Sequence, residues 1–388
     1  MYLDSLIFQL SAIIIGAAVL GTMFLYARQP IIIAYIAIGV MIGPSGYGLI
    51  KNTDQIEQIS HFGIILLLFL IGLNLQPGKL LGLFRHTSPL TLGTSAVFGL
   101  TALVFALLLS LPVNDAFIFA AAMMFSSTVI GLKLIPTTTL HHKHKGEMMT
   151  SVLLIQDIIA IIVILFITGE KGDSTLITFS ILIAKFIGLW LMAFIGVKYV
   201  MTPLLMKFDV IQEYTFLATL AWCLLWAETG HLLGLSYELG AFVAGLSIAS
   251  CQVALVIAER LKPLREFFLI LFFFAVGAEL KLDMDINILI AAILFGIALV
   301  PLKAIVFKKA FLWSGESYDL SKELGVRLAQ SSEFSLLVAF SALSMGLLSE
   351  NTAMILQVAT ITSFIISTYW VVMKYPTTIS SDARLNQD

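Results

Sequence analysis

Charge is scarce in this chain. Asp, Glu, Lys and Arg make up 12% of its 388 residues, about half the usual share in soluble domains, so an ordinary water-facing surface is excluded. Cysteine is scarcer: Cys223 and Cys251 fall in or at the end of apolar runs without CxxC spacing, which excludes a disulfide framework or a structural zinc site. The N-terminus lacks the basic stretch, short apolar core and cleavage site of a secretory leader, so the first apolar run reads as a retained span. No nucleophile, base and orienting group stand in a recognisable set, and no cluster of metal ligands is present; neither an enzyme nor a resident cofactor is expected. The net charge of −2 gives no reason to expect nucleic acid as a partner.

What is abundant is apolar sequence: 59% of residues, with a mean hydropathy of +1.01. The fold class implied is an all-α integral membrane protein. Runs of about 17–25 apolar residues between charged or Pro/Gly-rich breaks predict about thirteen transmembrane helices. They lie near 5–26, 30–44, 58–75, 88–111, 116–135, 148–168, 175–199, 211–228, 232–250, 264–279, 286–307, 322–346 and 353–373. Lys and Arg alternate loop by loop. One set of loops holds Arg28, Lys79, Arg85, Lys143, Lys145, Lys198, Lys207, Arg260, Lys262, Lys308, Lys309, Lys374 and Arg384; the other holds Lys51, Lys171 and Lys281 beside Asp54, Glu170, Asp173, Asp283, Asp285 and Glu350. The positive-inside rule then puts the N-terminus outside and the C-terminus in the cytoplasm.

Against this background one carboxylate stands out. Asp157 lies about ten residues into the apolar run from Met148 to Ile167, deep enough to reach the bilayer midplane. An ionised Asp there costs about 2.5–3.5 kcal/mol on insertion scales, so a partner, water, a bound cation or a proton must offset it. Gln156 precedes it. The fifth predicted span is interrupted by Ser126-Ser127-Thr128, hydroxyls that either satisfy an unwound turn or back-bond an intact helix. The twelfth carries Arg327, Gln330, Ser331, Ser332 and Glu333, which must face protein or a water-filled cavity. Lys303, after Pro301, either pairs in the interior or snorkels toward the boundary marked by Lys308 and Lys309.

Other features have plainer readings. Gly43-Pro44-Ser45-Gly46-Tyr47-Gly48 and Gly72-Leu73-Asn74-Leu75-Gln76-Pro77-Gly78 punctuate loops or allow close packing. His141-His142-Lys143-His144-Lys145 reads as a basic loop fixing topology, with metal binding or pH sensing as the alternative. Lys185 snorkels or pairs. The small residues of Glu238-Leu239-Gly240-Ala241-Phe242-Val243-Ala244-Gly245 read as helix packing, and Phe272-Phe273-Phe274 as lipid or helix packing.

Spans one to six and eight to thirteen start on opposite sides, and each set has a polar fifth member, Ser126-Ser127-Thr128 in one and Gln330-Ser331-Ser332 in the other. Interrupted segments at corresponding places in oppositely oriented halves are the sequence sign of an inverted repeat, whose two discontinuous helices cross near the midplane.

These motifs together resemble the Kef-type branch of the monovalent cation:proton antiporter-2 family. The matching stretches are Gly43-Pro44, Ile71-Gly72-Leu73, Ser126-Ser127-Thr128, Leu154-Ile155-Gln156-Asp157-Ile158, Gly240-Ala241-Phe242-Val243-Ala244-Gly245, Phe272-Phe273-Phe274-Ala275-Val276-Gly277 and Ala329-Gln330-Ser331-Ser332-Glu333-Phe334, in family order up to about residue 375. The resemblance implies an NhaA/NapA-like fold in residues 1–376, with 377–388 a cytoplasmic tail. It implies a dimerisation scaffold about 1–87 and 211–280, an ion-translocating core about 88–168 and 286–374 that rocks against it, and a linker helix 175–199. Asp157 becomes the ion- and proton-binding carboxylate, and Gln156 in place of a first Asp resembles the electroneutral branch.

The expected activity is therefore secondary exchange of K⁺ or Na⁺ for H⁺ in a prokaryotic inner membrane, as a homodimer, with a separate regulatory subunit left open. Gln156 would offer the cation a carbonyl oxygen and Ser126, Ser127, Thr128, Ser331 and Ser332 would add hydroxyls; Lys303, Glu333, Arg327 and Gln330 are the expected core partners. If Lys303 pairs with Asp157 and loses its proton on cation binding, two protons move per cycle. No metal is expected beyond the transported ion. Asn74 departs from the Glu of many relatives, and no nucleotide-binding domain is expected after the last span, so glutathione or nicotinamide gating is not carried over. A gated K⁺ channel would need a filter segment that is missing, and a Na⁺-coupled solute symporter would need an enlarged polar cavity.

Overall fold

The computed structural model describes residues 5–27, 29, 31–50, 54–74, 77–134, 144–168, 175–208, 211–249, 251, 254–278, 280 and 285–377. Among the described residues there is no strand. In chain order the helices are α1 (Leu6–Tyr26), α2 (Ile31–Ile42), α3 (Asp54–Asn74), α4 (Pro77–Leu108), α5 (Val113–Met123), α6 (Thr128–Lys133), α7 (His144–Thr168) and α8 (Thr175–Gly196). There follow α9 (Thr202–Lys207), α10 (Gln212–Leu232), α11 (Tyr237–Ile248), α12 (Ala254–Ala278), α13 (Ile286–Trp313), α14 (Tyr318–Arg327), α15 (Glu333–Ser344) and α16 (Glu350–Lys374). A π-turn over Val197–Met201 joins α8 to α9, with Thr202 N–H reaching back to Val197 O. Pro203, which has no N–H to give, accounts for that widened turn.

Six of these segments, Leu6–Tyr26, Thr87–Leu108, His144–Ile164, Ala184–Lys207, Ile286–Trp313 and Glu350–Lys374, are long and apolar enough to cross a membrane. Ile31–Ile42, Val113–Met123, Tyr237–Ile248 and Glu333–Ser344 are apolar but shorter. Of the short ones, α5 ends at an interruption and α15 begins at another. α5 stops at Met123 and α6 starts at Thr128; α14 stops at Arg327 and α15 starts at Glu333. Each restart is capped by a serine: Ile130 N–H donates to Ser127 Oγ at 3.0 Å and Phe334 N–H to Ser332 Oγ at 3.1 Å.

The chain divides into two compact units. The first comprises Met1–Lys51, Leu81–Ile164 and Val276–Asp388, and so contains both interruptions. Residues 1–51, assigned to the scaffold from sequence, cluster in this unit. Its core brings together Leu90 and Phe98 of α4, Met149, Val152 and Leu153 of α7, Phe307 and Phe311 of α13 and Leu324 of α14. Phe98 and Phe307 meet edge to face, 5.0 Å between centroids. This apolar block packs α4, α7, α13 and α14 together.

The second unit, Asn52–Leu80 and Leu165–Ala275, is built on α11. A Cβ on Gly245 would lie 2.8 Å from Leu73 N of α3, and one on Gly240 would lie 2.7 Å from Ala227 Cα of α10. The glycines of the Glu238–Gly245 run are thus explained by close packing on both sides. Phe272, Phe273 and Phe274 are buried in protein rather than facing lipid.

Two expectations are corrected. Glu259-Arg260-Leu261-Lys262-Pro263 is not a loop but lies within α12, where Pro263 costs one helix hydrogen bond without ending the helix. Lys308 and Lys309 do not close α13, which continues to Trp313. Arg28, Lys51, His141, His142, Lys143, Glu170, Lys171, Asp173, Lys281, Asp283 and Arg384 lie outside the described residues, as do the side chains of Asp54, Ile71, Asn74, Lys79, Arg85 and Lys262 and residues 378–388 of the tail.

Candidate functional site

Asp157 is carried by α7 and is fully buried. Its two carboxylate oxygens each accept from Thr128 Oγ1 at 3.1 Å, so the first residue of α6 faces the acid. Among the described residues, no cation hydrogen-bonds to it. Glu333, buried at the first position of α15, lies within electrostatic range of Asp157.

Gln156 is also fully buried, but it braces the first interruption. Its Oε1 accepts Ser126 N–H at 2.9 Å, while Nε2 donates to Ser95 Oγ and to Met124 O, both at 3.4 Å. The oxygen that sequence reasoning offers to a cation is already engaged by backbone. Ser126 Oγ, by contrast, is buried without a hydrogen-bond partner. Ser127 and Ser332 are spent as helix caps. Among the described residues, Ser331 Oγ reaches only Met123 Sδ, at 3.8 Å.

Lys303 decides how the two interruptions are joined. It is fully buried on α13, and its Nζ donates to Phe125 O at 2.6 Å and to Gln330 O at 3.1 Å. These carbonyls follow the C-terminal ends of α5 and α14, where helix dipoles leave partial negative charge and a cation is stabilising. The ammonium also lies 4.9 Å from the centre of the Phe98 ring. The snorkelling alternative is thereby excluded, and Lys303 is engaged by backbone rather than by Asp157.

Further bonds lock the interruptions together. Gln330 Nε2 donates to Ser127 O at 3.3 Å, and Ser335 Oγ to Ala122 O at 2.6 Å. From α16, Ser363 Oγ accepts Ser331 N–H at 3.0 Å and Ser367 Oγ donates to Gln330 Oε1 at 3.0 Å. Ser363 therefore does for the second interruption what Gln156 does for the first. The capping serines align Ser126-Ser127-Thr128 with Ser331-Ser332-Glu333, one residue later than the sequence pairing with Gln330-Ser331-Ser332. Ser95, Ser363 and Ser367 were missed from sequence; the i,i+4 spacing of Ser363 and Ser367 in an apolar run was the available signal.

Arg327 is elsewhere. Its guanidinium donates to Glu323 at 2.8 Å, to Leu134 O just past α6 at 2.9 Å, and to Pro376 O just past α16 at 2.8 Å. Glu323 also pairs with Lys145 at the start of α7, and His144 with Glu316 at 2.9 Å. At the other end of α5, Asp115 Oδ2 accepts from Ser349 N, Ser349 Oγ and Thr352 Oγ1 at the start of α16.

The model of the transmembrane sodium/hydrogen exchanger family matches residues 11–374. The chain belongs to that family. It resembles K⁺ efflux antiporter 5 of Arabidopsis thaliana, 30% identical over 354 residues that cover 85% of this chain and 59% of the relative. It resembles K⁺ efflux antiporter 4 of the same plant at 28% identity, covering 90% of this chain and 61% of the relative. The iron transporter MagA of Paramagnetospirillum magneticum is 27% identical over 93% of this chain and 84% of that protein. The chain thus spans about three fifths of the two plant antiporters. Among solved structures, the sodium proton antiporter MjNhaP1 of Methanocaldococcus jannaschii at pH 8 superposes with a TM-score of 0.66 at 16% identity, covering 94% of this chain and 95% of that one. The fold is therefore that of MjNhaP1, and the Kef-type resemblance holds.

Proposed function

We propose that this exchanger trades a monovalent cation, K⁺ or Na⁺, for H⁺, each binding in turn at Asp157. The observation that carries this reading is a fully buried carboxylate in a membrane span whose described hydrogen-bond donor is the neutral Thr128 hydroxyl. A buried carboxylate must be neutralised to be tolerated at that depth. With Lys303 held by two carbonyls, a proton or an alkali ion is left to do so. Because both compete for one charge, and the empty charged site crosses poorly, exchange is one for one and electroneutral. Thr128 and the unpartnered Ser126 hydroxyl supply oxygen to the cation, Gln156 and Ser363 hold the interruptions in shape, and Lys303 compensates their negative ends.

The same reading takes the helices as thirteen crossings in an inverted repeat, with α5/α6 and α14/α15 as the two discontinuous members that cross. It takes 88–168 and 286–374 as a core that moves in an elevator-like step within a homodimer. It also takes the N-terminus as outside and the C-terminus as cytoplasmic in a prokaryotic inner membrane. Support comes from the matched break geometry and from the fold.

The test is proton flux in proteoliposomes under clamped voltage, with K⁺, Na⁺ or Li⁺ added in turn. Cation-dependent, voltage-independent flux that Asp157→Asn abolishes is the expected result. Undiminished flux in Asp157→Asn overturns the reading.

A further inference from the structure

α16 is apolar enough to cross a membrane, yet its buried side carries Thr352, Gln357, Thr360, Ser363 and Ser367, each at most 4% exposed. At 1.5 Å per residue the stripe from Thr352 to Ser363 extends about 16 Å. Its ends are satisfied. Thr352 Oγ1 donates to Asp115 at 2.7 Å, and Ser363 and Ser367 hold Ser331 and Gln330 of the second interruption. Its middle is not: like Thr368 Oγ1 one residue past Ser367, Gln357 Oε1 and Thr360 Oγ1 are buried without a hydrogen-bond partner. Three residues apart, they are neighbours on one helical face. Thr360 does not back-bond to its own helix, the ordinary resting place for a hydroxyl in a span.

Two such atoms side by side in a membrane interior are costly unless water meets them. A cation fits less well, because both oxygens are neutral and the carboxylate at the Asp115 end already accepts three donors. We infer that Gln357 and Thr360 hold buried water, completing a polar file along α16 from Asp115 to Ser331 that gives the proton its own route to the site. The file ends at Ser331, beside the interruptions, where Gln330 donates to Ser127 O and the next residue, Thr128, donates to Asp157. The purpose assigned to the file rests on the exchange reading; its hydration does not.

The experiment uses the full chain in proteoliposomes, with Cys223→Ala and Cys251→Ala as background. Single Gln357→Cys and Thr360→Cys variants are exposed to methanethiosulfonate ethylammonium, with Leu356→Cys and Ala359→Cys as controls on the same two turns. Labelling of the first pair at least tenfold faster than the second is expected; equal, slow labelling overturns the hydrated file, whatever the transport result. A second pair, Gln357→Leu and Thr360→Val, covers the case of misfolded cysteine variants. Dry orphan groups replaced by apolar ones leave flux unchanged and raise the melting temperature, which overturns the inference. A tenfold loss of proton flux without a loss in melting temperature supports it.

Discussion

The carbonyl oxygens of Phe125 and Gln330 accept from a single ammonium group, Lys303 Nζ, at 2.6 and 3.1 Å. The two residues stand equally far before the capping serines Ser127 and Ser332. Lys303 therefore sits between equivalent points of two separately encoded interruptions.

Replacing Lys303 by Met leaves both carbonyls buried without a donor. Each orphan costs about 1–3 kcal/mol, so thermal unfolding in detergent shifts to lower temperature and cation-driven proton flux falls sharply. Any flux that survives stays voltage-independent if, as proposed, the proton counted in exchange is the one on Asp157. Flux that turns electrogenic on removing Lys303 would assign it a proton-carrying role instead.

Ser363→Ala removes the acceptor for Ser331 N–H and destabilises by about 1–3 kcal/mol. Ser367→Ala removes only a donor to a side-chain oxygen and costs less, about 0.5–1.5 kcal/mol. Melting temperatures of the two variants in one detergent check the order, and the reverse order would show that Ser331 N–H finds another partner.

Arg327→Leu removes one member of a buried ion pair and two carbonyl contacts at once. A loss of about 3–5 kcal/mol is expected, read as the midpoint of unfolding. Arg327→Lys, with one compact ammonium in place of the fork, recovers part of it. Retention of full stability by the leucine variant would mean that the clamp is dispensable.

Gly245→Leu forces a side chain against Leu73 N of α3. The second unit must shift to admit it, costing about 1–3 kcal/mol, and limited proteolysis within residues 52–80 and 165–275 becomes faster. Unchanged proteolysis would show that α3 and α11 can separate freely.

Much of the site was legible because a charge is conspicuous in an apolar run. Asp157 and Lys303 stood out that way, as did Arg327 away from the site, and both interruptions were marked by runs of hydroxyls. Less legible was what each group touches. Gln156 carries a donor and an acceptor, and nothing in its neighbours says that Ser126 N–H and Ser95 claim them. The depth of Lys303 was obscured because Lys308 and Lys309 look like a helix end but lie within one. The partners of Arg327 are carbonyls of Leu134 and Pro376, and backbone acceptors leave no trace in composition. The one-residue error in pairing the interruptions has the same origin. Composition matched polar residues with polar residues, whereas the caps match Ser127 with Ser332.

A helix interruption is ordinarily a soft place in a span, and two of them ought to make two joints. Lys303 prevents this. Sliding either interruption past the other by about an ångström stretches an N–H···O contact beyond hydrogen-bond range. Mechanically the lysine acts as a rivet through two thin plates: it converts a pair of hinges into one stiff block, and force applied at either end of α5 or α14 is delivered undiminished to Thr128 and the buried carboxylate of Asp157.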